Sequence, residues 1–387
     1  GEVANQDLHA TETTDYVIIV PTSGNLTAQA ERLAQLHREQ RGLRVKVVRA
    51  NELYNEFSSG TPDATAYRRY LKMLYDRAAT VDEAPKYLLL FGDGAWDNRM
   101  LSAAWRGQSP DDYLLCYEVE NSRDAVSAHV VEDYFALLDD GEGVDLTLDK
   151  VDVGVGRFPV TTVAKAREMV DKVEAYMKNA NAGAWKNTIL MLGDDGDKNR
   201  HMDDAETVAQ MLETEYPDYM VKRIYWDAFP MEKTATGNSY PAVRKRLLEL
   251  FNDGALMVNY SGHGAPDVIS HELVINRTDM GELRSPRLPV WVTVSCDITP
   301  FDNSELSFGE AAFLNPKGGA IGLLTSTRTT YAEQNKRINY FFSKYTFARD
   351  GNNGRYSLGD ALRLAKCELI TTSSSLGDKS GNKLNYV

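Results

Sequence analysis

Apolar, strand-forming runs separated by helical periodicity, and two of those runs cut off by chemistry-bearing residues, constrain this chain more than anything else in it. "ALMVNYSGHGAPD" (255–267) ends its apolar run in Gly262-His263-Gly264, and "LPVWVTVSCDITPFD" (288–302) ends its own in Ser295-Cys296. Around them the pattern is strand then helix. "YVIIV" (16–20), "RVKVV" (44–48), "KYLLLFG" (86–92) and "VDVGVG" (151–156) read as strands. Between and after them, apolar residues at helical spacing predict helices over 26–40, 64–78 and 163–178. The pattern restarts at "TILMLG" (188–193), with further strands in "YMVKRIYW", "ALMVNYSG", "VWVTVS" and "GGAIGLLTS" and helices near 203–215, 243–251, 333–345 and 358–369. Such alternation implies mainly parallel sheets flanked by helices, with right-handed crossovers. We read a two-lobed α/β chain, an N-terminal lobe over 1–184 and a C-terminal lobe over 185–387, joined by "NANAGAW". The polar tail "SSSLGDKSGNKLNYV" is expected to be loosely held.

Composition narrows the function. The 387 residues carry 43 basic and 56 acidic side chains, a formal charge of −13. That balance disfavours nucleic acid and anionic membrane surfaces, both of which need cations. No apolar run approaches the ~20 residues of a membrane span. Three cysteines without metal spacing leave at least one thiol free. No G-x-G-x-x-G follows the first strand and no P-loop occurs, which weighs against a doubly wound nucleotide-binding protein.

His263 and Cys296 stand 33 positions apart, each just past a strand's carboxyl end, where parallel sheets bind ligands. A thiol needs a neighbouring base to be nucleophilic near neutral pH, and an imidazole supplies one. Glycines beside the histidine permit a tight turn and close approach of a substrate. The N–H groups of Gly264 and Cys296 could hold an oxyanion. Spacing alone leaves the alternative of a buried structural cysteine equally open. His271 lacks a third ligand at metal-binding spacing, and Cys116 and Cys367 read as structural. The acidic stretches "DDGEGVDLTLD" and "GDDGD" suit calcium chemically but match no full calcium loop.

"NYSGHG…SHELV", "LPVWVTVSCDITPFD", "SFGEAAF" and "GGAIGLLTSTRTTYAEQN", with "VEDYFALLDD", "VDVGVGRFPV" and "MLGDDGDKNRHMDDAE", resemble the gingipain-like cysteine peptidases over about residues 85–345. Within that family they are most similar to the PorU-type sortases of the type IX secretion system. The resemblance implies a caspase-like (gingipain-type) two-lobed fold, Cys296 as nucleophile, His263 as proton shuttle and Gly264 N–H in the oxyanion hole. It also implies a first-lobe carboxylate near the histidine, for which Asp133 is the candidate, with Glu132 and Asp112 behind it. Thr325, Ser326 and Arg328, beyond the last strong strand, are expected to bind substrate.

Such an enzyme needs no cofactor, though structural calcium is compatible with the acidic loops. The implied activity is removal of a C-terminal signal domain from exported cargo and transfer to an amine, on anionic lipopolysaccharide, at the cell surface beside an outer-membrane secretion partner. Family members are usually longer, so the chain is expected to be a catalytic region. The alternatives are a hydrolytic endopeptidase without transfer and a noncatalytic docking module.

Overall fold

The runs "YVIIV", "YLLLF", "TILMLG", "MVNYS" and "VWVTV" become strands buried from both faces, which is why they lack the alternation of a half-exposed sheet. The computed structural model describes residues 5–119, 128, 130–235, 237–372 and 382–387. The first lobe contains β1 (Tyr16–Val20), α1 (Thr27–Arg41), β2 (Val45–Arg49), α2 (Ala50–Phe57), α3 (Thr65–Arg77), β3 (Tyr87–Phe91), β4 (Gly154–Phe158) and α4 (Val163–Met177). Its four strands are parallel in the order β2-β1-β3-β4. Helix α1 stops where its Leu and Ala stripe stops, at Gly42, whose φ of 65° is the left-handed cap that glycine adopts without strain. Thr162 caps α4 by accepting the Lys165 N–H.

The second lobe begins with β5 (Thr188–Gly193), α5 (Arg200–Glu215) and β6 (Met220–Tyr225), then a hairpin of β7 (Glu232–Thr234) and β8 (Gly237–Ser239). There follow α6 (Pro241–Asp253), β9 (Met257–Ser261), and a small antiparallel sheet of β10 (Gly264–Ala265), β11 (Val268–Ile269) and β12 (Ile275–Asn276). The remainder is α7 (Arg277–Glu282), β13 (Val290–Val294), α8 (Phe308–Phe313), β14 (Gly322–Leu324), α9 (Ala332–Phe347) and α10 (Leu358–Thr371). The five main strands are parallel in the order β14-β13-β9-β5-β6. From β5 the chain goes to one side for β6 and to the other for β9. The carboxyl ends of β5 and β9 therefore flank a point where the connections part, the place where open parallel sheets form a crevice.

Short α2, α7, α8 and the small sheets escaped the periodicity, because elements of two to eight residues show too few turns or alternations to register. The caps of α7 and α8 were nonetheless written locally. Asn276 with Asp279 and Ser307 with Glu310 form reciprocal capping boxes.

The lobes are fastened together. Phe313 of α8 packs edge-on to Phe158 at 5.0 Å within the first-lobe core, and Lys172 of α4 donates to the carbonyls of Phe313 (2.7 Å) and Asn315 (2.9 Å). Helix α10 crosses back to β4, so closely that a Cβ on Gly154 would lie 2.9 Å from the Gly359 backbone. The last residues do not hang free. Lys383, Leu384, Asn385 and Tyr386 are buried, Leu384 joins the first-lobe core, and Tyr386 bridges to Ser326. The expectation of a loose tail thus fails for 382–387, whose Leu and Tyr have core to fill; residues 373–381 lie outside the described residues.

Beneath this tail, Lys366 of α10 donates to the Tyr386 carbonyl at 2.6 Å and to the Asp133 carboxylate. Both charged side chains are almost wholly buried, so each depends on the other for its solvation. Lys366→Met should cost about 3–5 kcal/mol in chemical denaturation, the cost of leaving one buried charge unpaired. A loss under about 1 kcal/mol would show that the pair is not what holds this seam.

Candidate active site

Strand pairing sets the site. β9 and β13 are adjacent and parallel with Met257 opposite Val290 and Ser261 opposite Val294, an offset of 33 residues. His263 and Cys296 differ by the same offset, so each is the second residue beyond its strand at the same level of the sheet. The two backbones then stay close. A Cβ on Gly264 would lie 2.4 Å from both Ser295 Oγ and Ile298 Cδ1, and 3.0 Å from the Cys296 carbonyl oxygen. A Cβ on Gly262 would meet the Tyr260 hydroxyl at 2.2 Å. Crowding between strand ends, not a left-handed turn, is what requires these two glycines.

The histidine is held by its main chain. Asp194, leaving β5, accepts the His263 N–H through Oδ2 at 3.0 Å and the Gly196 N–H through Oδ1 at 2.6 Å, while its own N–H donates to the Ser261 carbonyl at 3.2 Å. Tyr260 donates its hydroxyl to the His263 carbonyl at 2.7 Å. Burial raises that phenol's pKa well above its ordinary value, with the Asp194 charge adding to the effect, so it remains a donor. The imidazole, 28% exposed, has Nε2 3.3 Å from Asp197 Oδ2, His271 stacked on one face at 4.0 Å and His201 edge-on at 4.9 Å.

Cys296 Sγ rests against the loop after β14. It accepts the Thr330 N–H at 3.4 Å and lies 3.5 Å from the Thr330 carbonyl oxygen. The next residue, Asp297, has φ of 51°, an uncommon left-handed conformation for a residue with a side chain, which turns the chain sharply at the thiol. That turn is braced. Asp297 N–H donates to the Arg328 carbonyl (3.2 Å), Thr299 N–H to the Ser326 carbonyl (2.8 Å), and Ser326 Oγ to the Ser295 carbonyl. Arg328 makes a forked pair with Asp302 at 2.9 and 2.6 Å.

Several expectations change on this geometry. Asp133 is committed to Lys366, Glu132 pairs with Arg157 at 2.9 Å inside the first lobe, and Asp112 accepts from Asn25 at 3.3 Å. The carboxylates beside His263 are Asp194 and Asp197, from the second lobe's own "GDDGD" loop, which the sequence flagged only as a strand exit and a calcium candidate. Thr325 and Ser326 are buried, Thr325 bonded to Thr299 (2.8 Å) and to Val387, and Arg328 is tied to Asp302. These three shape the cysteine loop by holding it from below. Cys116 and Cys367 are free thiols raised above the ordinary cysteine pKa by burial, in keeping with packing roles. In the other acidic stretch, carboxylate oxygens of Asp139, Glu142 and Asp152 lie within 4.8 Å of one another.

The second lobe is thus a parallel α/β sheet that places His263 and Cys296 just past two adjacent strand ends. The chain belongs to peptidase family C25, the gingipain family of cysteine peptidases, whose description matches residues 9–387. Among solved structures it is similar to the Arg-specific cysteine proteinase gingipain R (RgpB), at TM-score 0.69 and 18% identity over 98% of this chain and 77% of that one. The complex of Porphyromonas gingivalis RgpB pro- and mature domains matches at TM-score 0.69 and 18% identity, over 95% and 76% of the two chains. A dimeric latent PorU from Porphyromonas gingivalis shares 46% identity over 47% of this chain and 17% of that one, with TM-score 0.43. No curated protein matches the chain. Among the described residues no helix is long and apolar enough to cross a membrane.

Gly264→Ala should force β10 away from the cysteine turn. It is expected to lower the thermal midpoint and slow alkylation of Cys296; unchanged values for both would mean that the strand ends are not packed this tightly. A second test uses pH. Burial pushes the Glu118 carboxyl up to about 7 from 4.5, with Asp302 adding to the rise and Arg328 opposing it. The folded state keeps a proton that the unfolded chain releases, so this group's stabilisation is complete below pH 4.5 and is lost as pH rises through about 7. The thermal midpoint of the wild type should fall relative to that of Glu118→Gln across this window. Parallel curves would show that Glu118 does not carry the proton.

Proposed function

We propose that the chain is the catalytic region of a cysteine endopeptidase that works by acyl transfer through Cys296. The observation that carries this reading is the shared 33-residue offset of the β9–β13 pairing and of His263 and Cys296. In the reaction, the Cys296 thiol turns from Thr330 toward the imidazole and gives its proton to His263. The thiolate sulfur bonds to the scissile carbonyl carbon, and the carbonyl oxygen becomes an oxyanion held by the N–H groups of Gly264 and Cys296. Collapse breaks the C–N bond, and His263 returns the proton to the departing amine. Asp197 Oδ2 lies 3.3 Å from the imidazole Nε2. No cofactor is needed for this sequence; calcium at the acidic loops would be structural.

The thioester is resolved by an incoming amine in the fuller form of the proposal. The PorU-like run "SCDITPFD" supports it, and on that likeness the substrate is exported cargo with a C-terminal signal domain. The acceptor would be an amine on anionic lipopolysaccharide, and the place of action the cell surface beside an outer-membrane secretion partner.

A peptide-based thiol-reactive inhibitor, followed by mass spectrometry, tests the dyad. Labelling at Cys296 should be fast in the wild type, absent in Cys296→Ala and slower by at least about 1000-fold in His263→Ala. Labelling no faster than a free thiol, and indifferent to His263, would remove the enzyme reading and leave the docking role. With an active protein, one peptide incubated with and without a soluble amine separates the two outcomes. An amide of that amine supports transfer, and acid alone supports the hydrolytic endopeptidase.

A further inference from the structure

Beside His263 is a set of donor atoms that the peptidase chemistry does not use. His201, in the first turn of α5, is buried, its side chain 9% exposed, and its Nε2 makes no hydrogen bond. An unpartnered imidazole nitrogen in a protein interior is a desolvated lone pair or N–H, and such a group calls for a ligand. Its Nε2 lies 3.4 Å from Asp197 Oδ2, and Nε2 of His263 lies 3.3 Å from the same oxygen. All three atoms fall within 4.8 Å of one another.

Two ligand atoms each about 2.0–2.1 Å from a tetrahedral zinc ion are about 3.3 Å apart. Both Asp197 distances already have that length, and only the two imidazoles must close toward each other. Their ring centroids are 4.9 Å apart and the rings stand nearly perpendicular, at 82°.

We propose that His201 Nε2, His263 Nε2 and Asp197 Oδ2 form a site for one divalent transition-metal ion of the zinc class, and that its occupancy withdraws His263 from proton transfer. Two imidazoles and one carboxylate suit borderline cations, whereas calcium and magnesium prefer oxygen throughout. The partial exposure of His263 leaves a side from which an ion and a fourth ligand can enter.

The other mixed cluster, Asp7, His9 and Glu56, differs. It is more exposed, and His9 Nδ1 already engages Glu56 at 2.7 Å. The inhibitory half of the proposal rests on His263 being the proton carrier; the metal site itself does not.

Cobalt(II) serves as the probe, added to the 387-residue chain after chelator treatment. The expected result is one cobalt per chain with the visible absorption of a tetrahedral site, displaced by zinc. Affinity should fall more than about 100-fold in His201→Gln and in Asp197→Asn, beyond the usual cost of losing a group that merely orients a ligand. Peptide cleavage by the wild type should stop with one zinc bound and return with chelator, and His201→Gln should need over 100-fold more zinc for the same inhibition.

No tetrahedral band, a band unchanged in His201→Gln, or one lost only in His9→Gln would overturn the metal site. Cobalt binding that depends on His201 while zinc leaves cleavage untouched would overturn the inhibitory role, and with it the assignment of proton transfer to His263. An active enzyme with no metal dependence on His201 would overturn the metal site and leave the peptidase reading standing.

Discussion

The parallel register of β9 against β13 is the constraint on which the site depends. Strand pairing is quantised, so residues beyond the ends of two paired strands inherit the same alignment. A slip of one residue would turn Tyr260, Val292 and their neighbours to the wrong faces and separate His263 from Cys296 together. The strands are buried on both sides, which makes such a slip costly over every residue. A third strand adds to the lock, because Asp194 at the end of β5 bonds to the main chain of both Ser261 and His263. His263 and Cys296 are thus placed by backbone geometry before either side chain makes a contact.

The cysteine turn needs more support, since Asp297 lies in a left-handed conformation. That support comes from distant sequence. The loop after β14 contributes Ser326, Arg328 and Thr330, and the last residues of the chain hold that loop in turn. Val387 and Thr325 exchange N–H and carbonyl bonds at 3.0 Å, and Asn385 donates to the Thr329 carbonyl at 2.7 Å. Through Lys366 and Asp133 the same segment is tied to the first lobe. Buried pairs such as this one and Arg157–Glu132 add little net stability against an apolar replacement, but they penalise any arrangement that separates them. Here that penalty maintains the alignment of the two lobes under the active turn.

Around His263 the polar groups divide into two kinds. Asp194 and Tyr260 act on its main chain and define where the residue sits. Asp197, His201 and His271 surround its ring, and they limit its orientation and what else can reach Nε2. The carboxylates come from one loop, "GDDGD", so the loop after β5 both positions the histidine and sets its electrostatic surroundings.

Much of this was legible in the residues. The long apolar runs and helical stripes defined nine main strands and most helices, because burial on both faces and 3.6-residue periodicity leave direct marks on composition. Gly-His-Gly and Ser-Cys marked two strand ends that the structure brings to the same level of the sheet, through the shared 33-residue offset. The partners of those groups were not legible. That Asp133 belongs to Lys366, that Asp197 and His201 converge on His263, and that Tyr386 closes the site from below follow from which strands are neighbours and how α10 returns. Side-chain partnership such as that of Asp133 and Lys366, 233 residues apart, is a property of packing. Local sequence determines which chemistry a strand end can carry, and the tertiary structure alone decides which charges that chemistry meets, because electrostatic contact depends on distance in space and not along the chain.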